Sequence, residues 1–61
     1  MYFKVEVLKN TPDEDRVYIE AVNQDQAEIL LEHRMGPIPP ALLTWTQVSA
    51  TQIPDGEELL S

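Results

Sequence analysis

Few side chains in this sequence are of the types that carry acid–base or nucleophilic chemistry. The 61 residues include one histidine, His33, and no cysteine. A hydroxyl nucleophile needs a base positioned beside it, and the serine and threonines of residues 44–51 have no such motif around them. His33 falls in the last turn of a predicted helix, where the helix dipole favours a cation, so we interpret it as structural. We therefore expect no enzymatic activity and no catalytic residue.

The sequence also lacks the motifs that bind metal ions or phosphate groups. Asp13, Glu14 and Asp15 are consecutive, whereas an EF-hand calcium loop needs ligands at alternate positions, with a glycine at the sixth and a glutamate at the twelfth. Neither Gly36 nor Gly56 opens a predicted helix, as a phosphate-binding loop requires. The absence of cysteine excludes disulfides and thiolate-bound metals. We expect no metal site and no cofactor.

Charge is the strongest feature of the composition. The chain has 4 basic and 11 acidic residues, which gives a net charge of −7 with His33 neutral. Direct nucleic-acid binding needs clustered lysine or arginine, so we do not expect it. An acidic surface attracts basic partners and accelerates encounter with them. The charge therefore indicates either a surface that meets a nucleic-acid-binding protein, in the extreme as a mimic of DNA phosphates, or simple solubility.

The stretch from Met35 to Pro54 has the opposite character, with four prolines and no charged residue. It is too polar and too rich in proline to span a membrane. The N-terminus lacks the basic start and apolar run of a signal peptide, so we expect a cytoplasmic protein. An apolar, proline-rich connector followed by a tryptophan can form a contact patch on a small domain. It can equally fold over the core as a lid, and both alternatives stay open.

The elements that position these residues follow from hydrophobic periodicity. Phe3, Val5 and Val7 alternate with charged residues, which predicts a strand over residues 2–8. A second strand is predicted over 16–22. Residues 9–15 contain Asn10, Pro12 and Asp13 and are typical of a loop. The two strands should form an antiparallel hairpin.

A helix is predicted over residues 24–35. Asn23 is the expected N-cap, with Gln26 three residues later as in a capping box. Gly36 is the expected residue after the last turn, and Pro37 prevents continuation. The apolar stripe consists of Ala27, Leu30, Leu31 and Met35. A third strand is predicted within residues 42–53, with a bulge near 46–47 because its alternation changes face there.

The order β-β-α-β predicts an α+β fold. A right-handed crossover through the helix places the third strand beside the first. The expected sheet has three antiparallel strands in spatial order 2-1-3, with the helix on one face and no covering element on the other. Residues 1–56 would form one domain and residues 57–61 a short acidic tail. The expected core is Phe3, Val5, Val7, Val17, Ile19, Ala21, Ala27, Leu30, Leu31 and Trp45.

The junction between the second strand and the helix, Glu20-Ala21-x-Asn23-x-x-x-Ala27, follows the alternating residues Phe3, Val5 and Val7. This arrangement over residues 2–34 resembles short β-β-α-β accessory proteins encoded by phages and mobile elements. The resemblance implies a small accessory protein in the host cytosol, in some cases an inhibitor of a host enzyme or defence system. It carries no functional residues over to this chain.

Together these features predict a small acidic, non-enzymatic interaction protein that binds and modulates or inhibits a larger host protein, one with a basic nucleic-acid-binding surface. A DNA mimic is the extreme form of this hypothesis. The structural alternative is a homodimer that buries the uncovered sheet face, and a small enzyme or metal protein is a third. The expected contact residues are Tyr2, Tyr18, Pro39 and Trp45 for apolar contact and Glu28 and Glu32 for charge.

Overall fold

A computed structural model describes residues 1–8 and 15–61. The elements are strands β1 (Tyr2–Val7) and β2 (Asp15–Glu20), helix α1 (Gln24–Met35), and strands β3 (Leu43–Val48) and β4 (Leu59–Leu60). Short 3-10 turns cover Pro40–Leu42 and Ala50–Gln52. The class is α+β, as predicted. The predicted loop residues Asn10, Pro12 and Asp13 lie outside the described residues, as does Glu14.

The four strands form one mixed sheet in the order β3-β1-β2-β4. Strand β1 pairs antiparallel with both β2 and β3, so the predicted order 2-1-3 is present. The predicted three-stranded antiparallel sheet was incomplete, because β4 adds to β2 in parallel. This fourth strand lies in the segment expected to be an acidic tail. It is held there because Leu60 packs against the core.

Strand β3 is shorter and more regular than predicted. Its register with β1 runs without interruption from Tyr2↔Val48 to Val7↔Leu43, so no bulge occurs near 46–47. The apolar residues after Trp45 leave its face without a bulge, because the strand ends at Val48. The following 3-10 turn is capped by Gln52, whose Oε1 accepts a hydrogen bond from the Ser49 N–H at 2.8 Å.

The predicted helix is confirmed at both ends. The Gln26 N–H donates to Asn23 Oδ1 at 2.8 Å, and Gln26 Oε1 accepts from the Val22 N–H at 2.9 Å. At the other end, Gly36 has φ +80° and its N–H donates to the Glu32 carbonyl at 2.7 Å. Residues other than glycine rarely adopt such a φ. Local hydrogen bonding therefore defines where α1 begins and ends.

The core lies between α1 and the sheet. Most of the predicted core residues are buried, whereas Val17, Leu30 and Trp45 are half-buried and pack against the buried cluster. The buried set among the described residues is Phe3, Val5, Val7, Tyr18, Ile19, Ala21, Ala27 and Leu31.

Tyr18 shows that the sheet face opposite α1 is not open. Its neighbour Ile19 belongs to the core under the helix, so by strand alternation Tyr18 points to the other face. Tyr18 is nevertheless only 4% exposed. The chain between β3 and β4 has to pass from one sheet edge to the other, and a right-handed crossover places it on the face that α1 leaves free. The expectation of an uncovered face was therefore wrong at Tyr18, whereas Arg16 and Glu20 on the same face of β2 are exposed.

The two leucines of β4 provide a test of this topology, because they point to opposite faces. Leu60 packs against the core, whereas Leu59 is 38% exposed. We expect Leu60→Ala to lower the free energy of unfolding by about 1–2 kcal/mol and Leu59→Ala by less than about 1 kcal/mol, since the cost of truncation grows with the apolar area that the side chain buries. Urea unfolding followed by circular dichroism measures both. Equal destabilisation by the two variants would contradict the β2–β4 register.

Candidate protein-binding site

An apolar groove lies between the second half of α1, the connector that follows it, and β3. Its volume is about 300 Å³. The floor and walls are formed largely by apolar side chains, namely Leu31, Pro37, Ile38, Pro40, Leu43 and Trp45. Grooves of this size, lined by apolar residues with a few polar groups at the rim, are typical binding sites.

Trp45 is held in this groove by the core. It lies on the face of β3 that is turned toward α1, because Leu43 and Trp45 both pack against the core cluster. The edge of one ring meets the face of the other between Trp45 and Phe3, with centroids 6.2 Å apart and an interplanar angle of 83°. The indole is therefore fixed from behind while it lines the groove.

The connector forms a stiff wall. Gly36 ends the helix, and the prolines that follow restrict the backbone φ angle to about −65°. The 3-10 turn at Pro40–Leu42 is closed by the Leu42 N–H, which donates to the Pro39 carbonyl at 3.0 Å. A wall with few rotatable backbone angles loses little entropy when a partner docks against it.

Two carboxylates form the rim of the groove on its helical side. Glu28 and Glu32 are both exposed and one helical turn apart. Within residues 1–8 and 15–61, neither is paired with a basic side chain. Like charges at this spacing slightly destabilise a helix. The groove thus combines an apolar interior with uncompensated negative charge at its edge.

The structure brings together three of the six predicted contact residues, Glu28, Glu32 and Trp45. Pro39 is exposed in the connector but does not line the groove. Tyr18 is buried on the opposite face of the sheet, so we remove it from the contact residues. Leu31, which the sequence pattern places in the core, also lines the groove. Its position on the helix beside Glu28 and Glu32 is the sequence signal that could have placed it there.

Tyr2 is also on the opposite face, where it is half-buried and engaged within the chain. It pairs with Glu20 across β1 and β2. The Glu20 carboxylate accepts a hydrogen bond from the Tyr2 hydroxyl and, with its negative charge, raises the pKa of Tyr2 above the ordinary value. Lys4 and Glu6 form an ion pair at 3.0 Å on the same face. These internal pairs make that face a weaker candidate for partner binding than the groove.

A second cleft, of about 330 Å³, lies where β2, the end of α1 and the segment before β4 meet. It contains the ion pair between Arg34 Nη2 and Glu58 Oε2, at 3.1 Å, and a longer hydrogen bond from Arg34 Nε to Glu58 Oε1 at 3.4 Å. Glu58 raises the pKa of Arg34. Both side chains are more than half exposed, at 56% and 62%. We interpret the pair as a solvent-screened link between α1 and the segment that leads to β4.

Comparison of the chain with protein-family models, curated proteins and solved structures found no match. In the part of the chain that the structure describes, no helix is long and apolar enough to cross a membrane. Over those same residues, no three His, Asp or Glu side chains form a group that could hold a metal ion.

The Tyr2–Glu20 contact can be tested by titration. We expect Glu20→Gln to lower the pKa of Tyr2 toward its ordinary value of about 10, because the variant lacks the carboxylate that favours the protonated phenol. In the native protein, a raised pKa means that this contact stabilises the fold below about pH 10 and that the gain disappears as the pH rises through the pKa of Tyr2. NMR titration of the tyrosine ring signals measures the shift. An unchanged Tyr2 pKa in the variant would contradict the contact.

Proposed function

We propose that this protein is a small acidic, non-enzymatic binding protein that attaches to a larger protein through the groove between α1 and β3 and modulates it. The observation that carries this proposal is the position of Trp45 in an apolar groove beside two glutamates that form no ion pair with any other described residue. In line with the resemblance to phage-encoded accessory proteins, we propose the host cytosol as its place of action.

The groove has the composition of an interface centre. Tryptophan is among the residues that contribute most to binding energy when buried at an interface, especially where apolar neighbours exclude water around it. Trp45 is half-buried in the free protein and its ring is fixed against Phe3, so it loses little freedom on binding. A partner with a protruding apolar side chain fits this site.

The rim selects for charge. Glu28 and Glu32 favour a partner with basic groups and repel an acidic one, since like charges across an interface are costly. The net charge of −7 adds a long-range attraction toward the same positively charged partners. We therefore propose that the partner carries a basic surface, as nucleic-acid-binding proteins do.

The alternative functions differ in whether partner binding needs the residues of the groove. A pure mimic of DNA phosphates would use acidic residues over the whole surface and would need neither Trp45 nor the apolar floor. A homodimer that buries the sheet face opposite α1 is less well supported, because Tyr18 on that face is already only 4% exposed in the single chain. Variants at the groove rim distinguish binding in the groove from attraction by the acidic surface as a whole.

Glu32→Lys and Asp55→Lys form a matched pair for this test, because they change the net charge equally. Glu32 is at the groove rim, whereas Asp55 is exposed in the 54–57 turn between β3 and β4. With immobilised protein and a bacterial lysate at about 0.05 M salt, where screening is weak, we expect Glu32→Lys to reduce capture of the partner about tenfold or more. Asp55→Lys should reduce it less than about twofold, and quantitative mass spectrometry measures both.

Stability measurements separate an effect on binding from an effect on folding. Because Glu32→Lys removes the repulsion with Glu28 and creates an attractive pair one turn away, we expect the variant to be as stable as the native protein, or more stable by about 0.2–0.5 kcal/mol. Capture should also fall as salt rises to about 0.5 M. Equal reductions of capture in the two variants would show that the partner is attracted by the acidic surface as a whole and not bound in the groove. If no protein is captured at low salt, the proposed function is contradicted.

A further inference from the structure

We propose that the free edge of β3 receives an extended segment of the partner as an additional strand, with two basic side chains over Glu28 and Glu32 and an apolar side chain beside Trp45. This inference rests on the proposed function and adds the conformation and sequence pattern of what binds. It begins from the sheet order, in which β3 is an edge strand.

The direction of the backbone groups in β3 follows from its pairing. The Leu8 N–H donates to the Leu42 carbonyl at 2.8 Å, and the same register continues along β1 and β3. In an antiparallel pair, alternate residues direct their N–H and C=O groups to the same neighbour. Thr44 and Thr46 therefore bond to β1, whereas Trp45 and Gln47 direct their N–H and C=O groups outward. Among the described residues, no strand pairs with that side.

The exposed edge and the groove are adjacent on the same strand. Trp45 contributes its side chain to the groove and its backbone groups to the edge. A strand added along this edge directs every second side chain toward the face that carries α1. An apolar side chain at one of these positions enters the groove beside Trp45, while main-chain hydrogen bonds to Trp45 and Gln47 hold the segment.

The acidic rim matches the repeat of such a strand. Residues one helical turn apart, as Glu28 and Glu32 are, have Cβ atoms about 5–6 Å apart. Side chains two residues apart on a strand are separated by about 6.5–7 Å and point to the same face. Two lysines or arginines in the pattern basic-x-basic therefore reach both carboxylates together. The free edge of β3 favours an extended basic segment over a helical one, because a helix uses its own backbone groups internally and offers none to Trp45 and Gln47.

A second copy of this chain is a poorer occupant of the same edge. Residues 35–54, which include β3, contain no lysine or arginine, so a second β3 brings no positive charge to Glu28 and Glu32. A twofold pairing of β3 with itself also brings the same acidic rim of the second copy into the neighbourhood, because the interface is isologous. Charge complementarity thus favours a basic segment from another protein.

Capped synthetic peptides provide the probe. In Thr-Leu-Thr-Lys-Thr-Lys-Thr, the leucine and both lysines share one face of a strand, whereas Thr-Leu-Lys-Thr-Lys-Thr-Thr has the same composition with both lysines on the other face. A third peptide replaces the lysines of the first with glutamate. We expect the first peptide to bind about tenfold or more tightly than either control, as measured by the fluorescence of Trp45, the one tryptophan.

Amide hydrogen exchange in the native full chain then tests strand addition directly. At saturating peptide we expect exchange at Trp45 and Gln47 to slow about tenfold or more, because their N–H groups gain partners. Thr44 and Thr46, already bonded to β1, should change little. Binding without added protection of Trp45 and Gln47 would overturn strand addition and leave the groove as the site. Protection that rises with protein concentration in the absence of peptide would overturn it in favour of a second copy.

Gln47→Pro supplies an independent check, since proline removes an outward N–H and is tolerated on edge strands. We expect this variant to bind the first peptide about tenfold more weakly than the control Gln47→Ala. Equal affinity in the two variants, with circular dichroism unchanged, would overturn the inference. If Gln47→Pro does not fold, the exchange measurement on the native chain decides. If no peptide binds although partner capture depends on Glu32, strand addition fails and the proposed function stands.

Discussion

The double pairing of β1 is the constraint on which the rest of this structure depends. Strand β1 is bonded along its whole length to β2 on one side and to β3 on the other. It also supplies Phe3 and Val5, which lie at the centre of the core under α1. Because β1 occupies the inner position, β3 is held at the edge. The ring of Phe3 then fixes Trp45 at the place where sheet, helix and connector meet.

This arrangement separates the two surface properties of the chain and places them side by side. The residues without charge, 35–54, form the connector and β3, whereas Glu28 and Glu32 extend from the helix above them. Apolar contact provides affinity and the carboxylates provide selectivity for basic groups. The rim is costly for the isolated helix, since its two charges repel each other. A cost in stability at a surface position is expected where the residues serve binding.

Local signals made part of the fold predictable. Asn23, Gln26 and Gly36 determine the ends of α1 through hydrogen bonds within a few residues, and the alternation of Phe3, Val5 and Val7 identifies β1. Strand β4 could not be predicted, because two leucines among acidic residues have no periodicity and their pairing with β2 is long-range. The burial of Tyr18 was missed as well, because strand alternation places it on the face away from the helix, where no covering element was predicted. Glu28, Glu32 and Trp45 were identified individually, but that they surround one groove required the three-dimensional structure.

Amide hydrogen exchange of the free protein, resolved by NMR along β3, tests the central claim that this strand presents an open edge beside the groove. Thr44 and Thr46 should exchange slowly, because their N–H groups bond to β1. Trp45 and Gln47 should exchange much faster, at rates close to those of unprotected amides. Uniform protection of all four residues, independent of protein concentration, would contradict the account, because it would show that the edge of β3 is already paired within the chain.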